Sequence, residues 1–391
     1  MFEALLSIRS EAYLEGNSLF DRGNTAHSLL LHGSEYSGKM SHAIEAARRR
    51  SCRRDGAVHC QCSSCTAFST FGMKNIVILS NRDHAMRIQS AITHFRRLKT
   101  QWLQRYLMKS VRILLMSYHE ALVGTQDTKG ASVFAQAGEV DVLIEDMSTM
   151  SPEDAAGVLG ELEKALAPLL AIRKSVVTID AFRSLHAWMH STSVDDLPRF
   201  AIIEGMEDST GPANNSILKI LEEPADNAYF IILSTRPMRL LPTILSRLQK
   251  HYISGLRDVE LKTILSTYFF TDASQVSSLQ DFVLSGAGYS LQDIHSSASS
   301  FADSLTFREP LGTGELDTMF SSIDSMQMLS YYLEQVMKML KENHESGSLP
   351  MVRYNTILAK IRESYQRART YNQQVRTCLE GLYYSMLAVQ V

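Results

Sequence analysis

A glycine-rich loop early in the chain carries most of the residue types that hold a phosphate group. Residues 33–41 read Gly-Ser-Glu-Tyr-Ser-Gly-Lys-Met-Ser, close to the P-loop pattern Gly-x4-Gly-Lys-Ser/Thr. In such a loop Gly33 and Gly38 let backbone N–H groups turn toward the phosphates, and Lys39 supplies positive charge. Met40 stands where a hydroxyl would ligate Mg²⁺, and a thioether is a poor ligand for this hard cation. We therefore predict a degenerate nucleotide site, and we favour a loop that binds nothing over one that still binds ATP.

A cluster of cysteines follows this loop. Four of the five cysteines, Cys52, Cys60, Cys62 and Cys65, fall within one short stretch, and Cys378 stands alone in a helical segment. In a chain without other marks of secretion, such a cluster indicates a metal site more than disulfides. Four thiolates suit a closed, tetrahedral, structural Zn²⁺ site. The alternative is four free thiols in a mobile loop; we expect zinc, with no open ligand position for catalysis.

The elements that must position these residues follow an alternating pattern. The loop comes directly after an apolar strand, Ser28–His32, and a helical segment follows it. Residues 200–203 and 229–235 are two more apolar strands, and residues 214–224 between them have the three- and four-residue spacing of a helix that ends at a proline. Strand, helix and strand in this order predict an α/β fold built on a parallel sheet.

The totals limit the classes of protein that this chain can represent. It has 391 residues, of which 45% are hydrophobic, and its formal net charge is −3. This length allows two or three domains. The charge excludes a general polyanion binder, so contact with nucleic acid would need a local basic patch. Residues 1–23 suggest an amphipathic helix with a turn and lack the apolar core of a signal peptide. With no long apolar run, we expect a cytoplasmic protein without membrane contact.

Two motifs resemble the clamp-loader branch of the AAA+ ATPases. They are residues 215–224, Asn-Ser-Ile-Leu-Lys-Ile-Leu-Glu-Glu-Pro, and the triplet Ser-Arg-Leu at 246–248, which the family writes Ser-Arg-Cys. The branch includes the delta-prime and gamma/tau subunits of bacterial DNA polymerase III, and the delta-prime type is the better match. The cysteine spacing is also similar to the family's zinc module. The resemblance implies an AAA+ P-loop-like parallel-sheet domain with that module, a helical lid and an all-α C-terminal domain.

The resemblance also implies roles for single residues. Arg247 occupies the position of an arginine finger, which reaches across a subunit interface to the ATP of a neighbour. Thr235 occupies the position of a polar sensor residue. Active members end one strand with two acids, the first for Mg²⁺ and the second for the attacking water. Here Glu204 can replace the first, but Gly205 cannot replace the second. With Met40, these changes imply a subunit that lends an arginine in trans and is not catalytically active by itself.

The implied partners are the other subunits of the DNA polymerase III clamp loader, gamma/tau and delta. Through that complex the chain would reach the sliding clamp and primed DNA during DNA replication. The implied domains are an AAA+ nucleotide-binding-like domain at 1–254, with its zinc module at 52–65 and an insertion at about 83–174, a three-helix lid at 255–309, and a helical oligomerisation collar at 310–391.

Two other functions stay open. The first is an active gamma/tau-type ATPase that uses Gly33, Gly38, Lys39 and Thr235. The second is a zinc-containing DNA-binding AAA+ protein that uses the start of the insertion, where basic residues and aromatic rings alternate in helical period. We expect an ordinary solvated helical face there, followed by a short strand at 140–144. The basic residues are Arg87, Arg96, Arg97, Lys99, Arg105, Lys109 and Arg112.

Overall fold

The computed structural model of the protein describes residue 19 and residues 26–122, 128–172, 179–191, 197–209, 211–270, 276–371 and 373–387. The chain forms two compact units, Met1–Ala287 and Gly288–Val391. Nearly all of the helix predicted over residues 1–23 lies outside the described residues. The predicted limits of lid and collar remain a prediction.

A parallel sheet of five strands forms the centre of the first unit, as the sequence predicted. The strand order is β2-β3-β4-β1-β5, so the strand before the glycine-rich loop lies inside the sheet. Four strands are continuous apolar runs because helices cover both faces of the sheet, whereas β5 is a more polar edge strand. The strands are β1 (Ser28–His32), β2 (Ile76–Leu79), β3 (Arg199–Glu204), β4 (Ala228–Ser234) and β5 (Gln249–Tyr252).

Twelve described helices surround this sheet or extend from it. They are α1 (Lys39–Ser51), α2 (Ser63–Thr70), α3 (His84–Leu98), α4 (Gln101–Leu115), α5 (Thr128–Thr149), α6 (Pro152–Gly157), α7 (Leu159–Ala171), α8 (Ile179–His190), α9 (Gly211–Glu222), α10 (Pro242–Leu245), α11 (Asp258–Tyr268) and α12 (Leu279–Gly286).

The two faces of the sheet belong to two apolar cores. On one face, residues of β1 such as Leu29 pack in one cluster with Ile44 of α1. On the other face, Leu30 packs in a cluster that contains Ile217 and Leu221 of α9. A fully buried leucine or isoleucine contributes about 2 kcal/mol, so the apolar stripe of α9 fixes this helix, and with it the acidic end of the motif, against the sheet.

The segment between β2 and β3 is helical throughout its described part. The strand predicted at 140–144 is wrong, because these residues lie in α5. Val140 and Ile144 are fully buried, whereas Val142 is 61% exposed. The buried pair has the four-residue spacing of one helix face, and the exposed valine faces away from it.

Helices α11 and α12 pack on this inserted segment. Trp102 of α4 makes an edge contact with Tyr268 at 4.7 Å between ring centroids. His94 of α3 stacks on Phe282 of α12 at 4.0 Å. A side chain at Gly286 would overlap His94, so glycine allows this close approach of helices.

The second unit contains only helices in its described part. Its long helix at Met326–Glu345 has a core stripe, since Leu329, Tyr332, Val336 and Leu340 are fully buried. Across all described residues, none of the helices is long and apolar enough to span a bilayer. The helices are α13 (Leu291–Phe307), α14 (Thr313–Phe320), α15 (Met326–Glu345), α16 (Met351–Thr370) and α17 (Val375–Leu387).

Candidate functional site

The predicted nucleotide-site residues follow three neighbouring parallel strands. The glycine-rich loop follows β1, Thr235 follows β4, and Glu204 ends β3. The carboxyl ends of parallel strands meet at one edge of a sheet. The chain leaves β1 in one direction and β4 in the other, and ligands of α/β proteins bind at such a switch point. The fold therefore brings these residues to the edge where a nucleotide would bind.

The lysine of the loop is bonded to the loop itself. Lys39 Nζ donates to the carbonyl oxygens of Gly33 at 3.0 Å and Ser34 at 2.5 Å. Burial lowers the pKa of the Lys39 ammonium. A side chain at Gly33 would overlap the carbonyl oxygen of Ile253, and Gly38 has a positive φ of 89° before α1 begins. The glycines thus allow the backbone shape of a P-loop. The ammonium group of Lys39 is bonded to carbonyl oxygens of the same loop.

Met40 does not face the loop. Its side chain is 7% exposed and belongs to the apolar cluster that contains Leu29 and Leu31 of β1. The next residue, Ser41, is buried and accepts a hydrogen bond from Lys109 of α4 at 3.4 Å. Neither residue presents an oxygen for Mg²⁺ toward the loop.

Glu204 is held by an arginine that the sequence analysis missed. Arg82 forms a two-pronged ion pair with the Glu204 carboxylate, at 2.7 Å from Nε and 2.8 Å from Nη2, and Ser80 donates to the same carboxylate at 2.5 Å. Burial favours the protonated form, but the charge and hydrogen bonds of Arg82 outweigh it and lower the pKa of Glu204 to about 2. The carboxylate is ionised but already paired.

Gly205 is fixed by its backbone. Its φ is 80°, a conformation that favours glycine. A Cβ there would overlap the side-chain amide of Asn81. The position of the second acid therefore holds a residue that cannot act on water, and a side chain there would need Asn81 to move.

Thr235 is paired with an acid inside the chain. Its backbone N–H and its hydroxyl lie 3.3 Å and 3.5 Å from Oε1 of Glu207, which is 9% exposed. The polar groups of Thr235 are thus bonded to Glu207 within the chain. The sequence did not reveal this pairing, because the short 3₁₀ turn at Met206–Asp208 that positions Glu207 has no sequence signal.

Arg247 lies on the surface and is bonded within its own subunit. Its Nη2 donates to Oε1 of Glu222, at the end of α9, at 2.6 Å. Its Nη1 donates to the carbonyl oxygen of Thr243 at 2.7 Å. The two charged side chains are 34% and 49% exposed, so the pair is a solvent-exposed one of small energetic value. The guanidinium is accessible from outside the chain.

The four cysteines come together as predicted. Their Sγ atoms all lie within 4.8 Å of one another. Cys52 Sγ is 3.6 Å from that of Cys60 and 3.8 Å from that of Cys62. Thiolates around a tetrahedral Zn²⁺ at about 2.3 Å stand about 3.8 Å apart. The backbone N–H of Cys65 is the main cause that lowers the pKa of the Cys62 thiol to about 6, which favours the thiolate form that binds metal. The donor set fits a zinc ion.

Arg48 joins this cluster to the helix after the loop. It is 8% exposed, and its Nη1 donates to Sγ of Cys65 at 2.9 Å. Its remaining donors reach Glu45, at 2.6 and 2.7 Å, and the carbonyl oxygen of Gly56 at 3.0 Å. Burial raises the pKa of the Cys65 thiol, and Arg48 acts against that shift. The sequence did not reveal this role, because α1 ends in a run of arginines that looks like a solvated helix end.

Some of the basic residues of α3 and α4 are buried or paired inside the first unit, whereas Arg97 and Arg105 are exposed. Arg112 is buried and forms ion pairs with Asp141 and Glu145 of α5. Arg96 pairs with Glu163 of α7 at 2.7 Å, and Lys109 is 9% exposed. The guanidinium of Arg87 lies over the ring of Tyr36 in the glycine-rich loop, at 4.6 Å. These contacts draw Arg87, Lys109 and Arg112 into the first unit, so the exposed basic residues of these two helices are Arg96, Arg97 and Arg105.

Comparison with known proteins gives one family. The sequence model of the family described as "DNA polymerase III, delta subunit" matches residues 11–125 and 142–257, which is more than half of the chain. The match runs through most of the segment at 83–174 that the sequence analysis took as an insertion and leaves out 126–141. No curated protein matches the chain.

Among solved structures, one similar chain is a gamma-subunit-related protein of DNA polymerase III from Thermotoga maritima. It is 17% identical, and the alignment covers 55% of this chain and 81% of that one, with a TM-score of 0.27.

Proposed function

This chain belongs to the DNA polymerase III delta subunit family, and on that premise we propose that it is the non-catalytic, delta-prime-type subunit of a clamp loader. In this role it binds the gamma/tau and delta subunits, and Arg247 completes the ATP site of a neighbour while the complex loads a sliding clamp on primed DNA. Its own glycine-rich loop then serves as structure.

The pairing of Glu204 with Arg82 is the observation that carries this proposal. An acid that orients the hydrated Mg²⁺ of ATP needs free carboxylate oxygens, and both oxygens of Glu204 accept hydrogen bonds from Arg82. Met40 in the core and Gly205 without a side chain support the same reading. An active gamma/tau-type ATPase would need Lys39 and Thr235 to leave Gly33, Ser34 and Glu207.

The exposed position of Arg247 supports the arginine role. A guanidinium can donate two hydrogen bonds to the charge that develops on a transferred phosphoryl group. In the isolated chain these groups donate hydrogen bonds to the Glu222 carboxylate and the Thr243 carbonyl oxygen. Breaking an ion pair this exposed costs at most about 1 kcal/mol, so the arginine can exchange Glu222 for a phosphate at an interface.

The test is ATP hydrolysis by the reconstituted complex with Arg247→Ala in this subunit. Removal of one arginine finger lowers hydrolysis by about 10³-fold or more at the site that it serves, while the fold, followed by circular dichroism, stays intact. The chain alone should turn over no ATP, with or without Lys39→Ala.

The matched control is Glu222→Gln, which removes the internal partner and keeps the guanidinium. This variant should hydrolyse ATP at least as fast as the wild-type complex. Equal losses for Arg247→Ala and Glu222→Gln would mean that only the ion pair matters, and an unchanged rate for Arg247→Ala would refute the role in trans.

A further inference from the structure

Helix α16 in the second unit has a charge opposite to that of the whole chain. It contains five basic residues and the single acid Glu363, although the chain as a whole carries a net charge of −3. Helices with this balance in an otherwise acidic protein are local basic patches. The basic residues are Arg353, Lys360, Arg362, Arg367 and Arg369.

The basic residues lie on two flanks of the helix. Arg353, Lys360 and Arg367 recur every seven residues, which is two helical turns, so they share one flank. Arg362 and Arg369 have the same spacing and lie on the other flank. The buried face of the helix contains Ile357, Ile361 and Ala368.

The face between the two flanks points away from the core and is mostly small or polar, but it also contains the exposed Val352 and the acid Glu363. Asn355, Ala359 and Thr370 are exposed, and Gln366 is half-buried. The helix thus presents a narrow polar ridge with a row of positive charges on each side.

Arg362 and Arg367 carry the most exposed charges of this helix, whereas Arg353 donates to the carbonyl oxygen of Leu305 at 2.6 Å and Arg369 to the hydroxyl of Tyr365 at 3.4 Å. Arg362 and Arg367 are exposed, and neither forms an ion pair with another residue in the part of the chain that the structure describes. Lys360 pairs with Glu363 at 3.5 Å, but the two side chains are 40% and 55% exposed, so the pair is weak. This contrasts with Arg112 of α4, which is buried between two acids.

We propose that the exposed face of α16 binds duplex DNA directly, through its phosphate backbone. A helix is about 10–12 Å across with its side chains, and the major groove is about 12 Å wide. With α16 in that groove, Arg353, Lys360 and Arg367 face the phosphates of one strand, and Arg362 and Arg369 face those of the other. Phosphate contacts of this kind position a protein on DNA without reading its sequence. An acidic protein partner would need no such pair of flanking rows.

The experiment measures binding of the full-length chain to a fluorescein-labelled duplex of about 20 base pairs by fluorescence anisotropy, between about 50 and 200 mM salt. The variant is Arg362→Gln/Arg367→Gln. We expect its affinity to fall by about tenfold or more and the slope of log K against log salt to lessen by about 2, since each phosphate contact contributes about 0.9.

The matched control is Lys338→Gln/Lys341→Gln, which removes the same charge from exposed positions of α15 in the same unit. It should bind like the wild-type chain. The proposal is overturned if the wild-type chain does not bind the duplex, which would favour an acidic protein partner. It is also overturned if both double variants lose affinity equally, or if a single strand of the same sequence binds more tightly than the duplex. Thermal unfolding of each variant confirms that the second unit remains folded.

Discussion

At the scale of single residues, the polar groups that ATP hydrolysis needs are already paired inside the chain. Lys39 is bonded to its own loop, Glu204 to Arg82, and Thr235 to Glu207. Buried charges that lose one partner destabilise a protein strongly. A nucleotide that used these groups would have to replace these bonds, so the pairing stabilises the arrangement seen without nucleotide.

Glu204→Gln tests this pairing through the pH dependence of stability. The pKa of Glu204 is about 2 in the folded chain against an ordinary value of 4.5, so the pair stabilises the fold fully above pH 4.5. That contribution is lost as the pH falls toward 2. We expect the variant to be about 3 kcal/mol less stable at pH 7. Urea unfolding followed by tryptophan fluorescence measures it, since Trp102 and Trp188 both lie in the first unit.

The difference between wild type and variant should shrink as the pH is lowered from 4.5 to 2. Glu163→Gln, which breaks the exposed pair with Arg96, is the control and should change stability by less than about 1 kcal/mol. A pH-independent difference for Glu204→Gln would show that the carboxylate charge is not what stabilises the site.

Sequence reasoning predicted these residues only in part. The types and spacing of Gly33, Gly38 and Lys39 are local and could be read directly. The partner of Glu204 could not be predicted, because Arg82 is more than a hundred residues away along the chain. Only the parallel pairing of β2 with β3 brings the two residues together. The same holds for Asn81, which closes over Gly205.

At the scale of elements, local periodicity was sufficient where one pattern dominated. The strand at Ser28–His32 was predicted with the observed limits. Residues 140–144 read Val-Asp-Val-Leu-Ile and satisfy both a two-residue and a four-residue period. Burial of Val140 and Ile144 in α5 decides between them, and that packing depends on distant helices that the sequence does not identify.

The element that links the cysteine cluster to the glycine-rich loop is α1, and Arg48 makes that link. We expect about one zinc ion per chain by metal analysis. In Arg48→Lys the charge remains, but the forked hydrogen bonds to Cys65, Glu45 and Gly56 are lost. The affinity for zinc, measured by competition with a chromophoric chelator, should fall by about 10- to 100-fold.

Arg53→Gln is the control for this variant, because it removes an exposed charge next to Cys52. Its zinc affinity should stay close to that of the wild-type chain. Equal affinities for Arg48→Lys and the wild type would show that Arg48 contributes only to packing, and a chain without zinc would refute the metal site.

At the scale of the whole molecule, the features that carry the two proposals lie in different units. The sheet, the cysteine cluster and Arg247 lie in the first unit, and α16 lies in the second. The length of the chain indicated more than one domain, but the sequence did not reveal the boundary at residue 288. That boundary depends on the packing of α12 on α3 of the first unit, through Phe282 and His94.

A chain that ends at residue 287 tests whether the second unit, which contains the predicted collar at 310–391, is needed for assembly. The first unit has its own sheet and cores, so we expect its tryptophan fluorescence to remain that of the folded chain. Without the helices of the second unit it should no longer co-purify with the other clamp-loader subunits, whereas full-length Arg247→Ala should. If the shortened chain assembled with the yield of the full-length chain, the second unit would not contain the oligomerisation collar.

The contact between Gly205 and Asn81 has an evolutionary consequence. An acid introduced at position 205 would meet an occupied space and a backbone that disfavours it, and its neighbour Glu204 would still be tied to Arg82. Under the proposed function, hydrolysis by this chain would therefore need changes at positions 205, 81 and 82 together. A subunit with that requirement would be expected to keep its dependence on a catalytic neighbour.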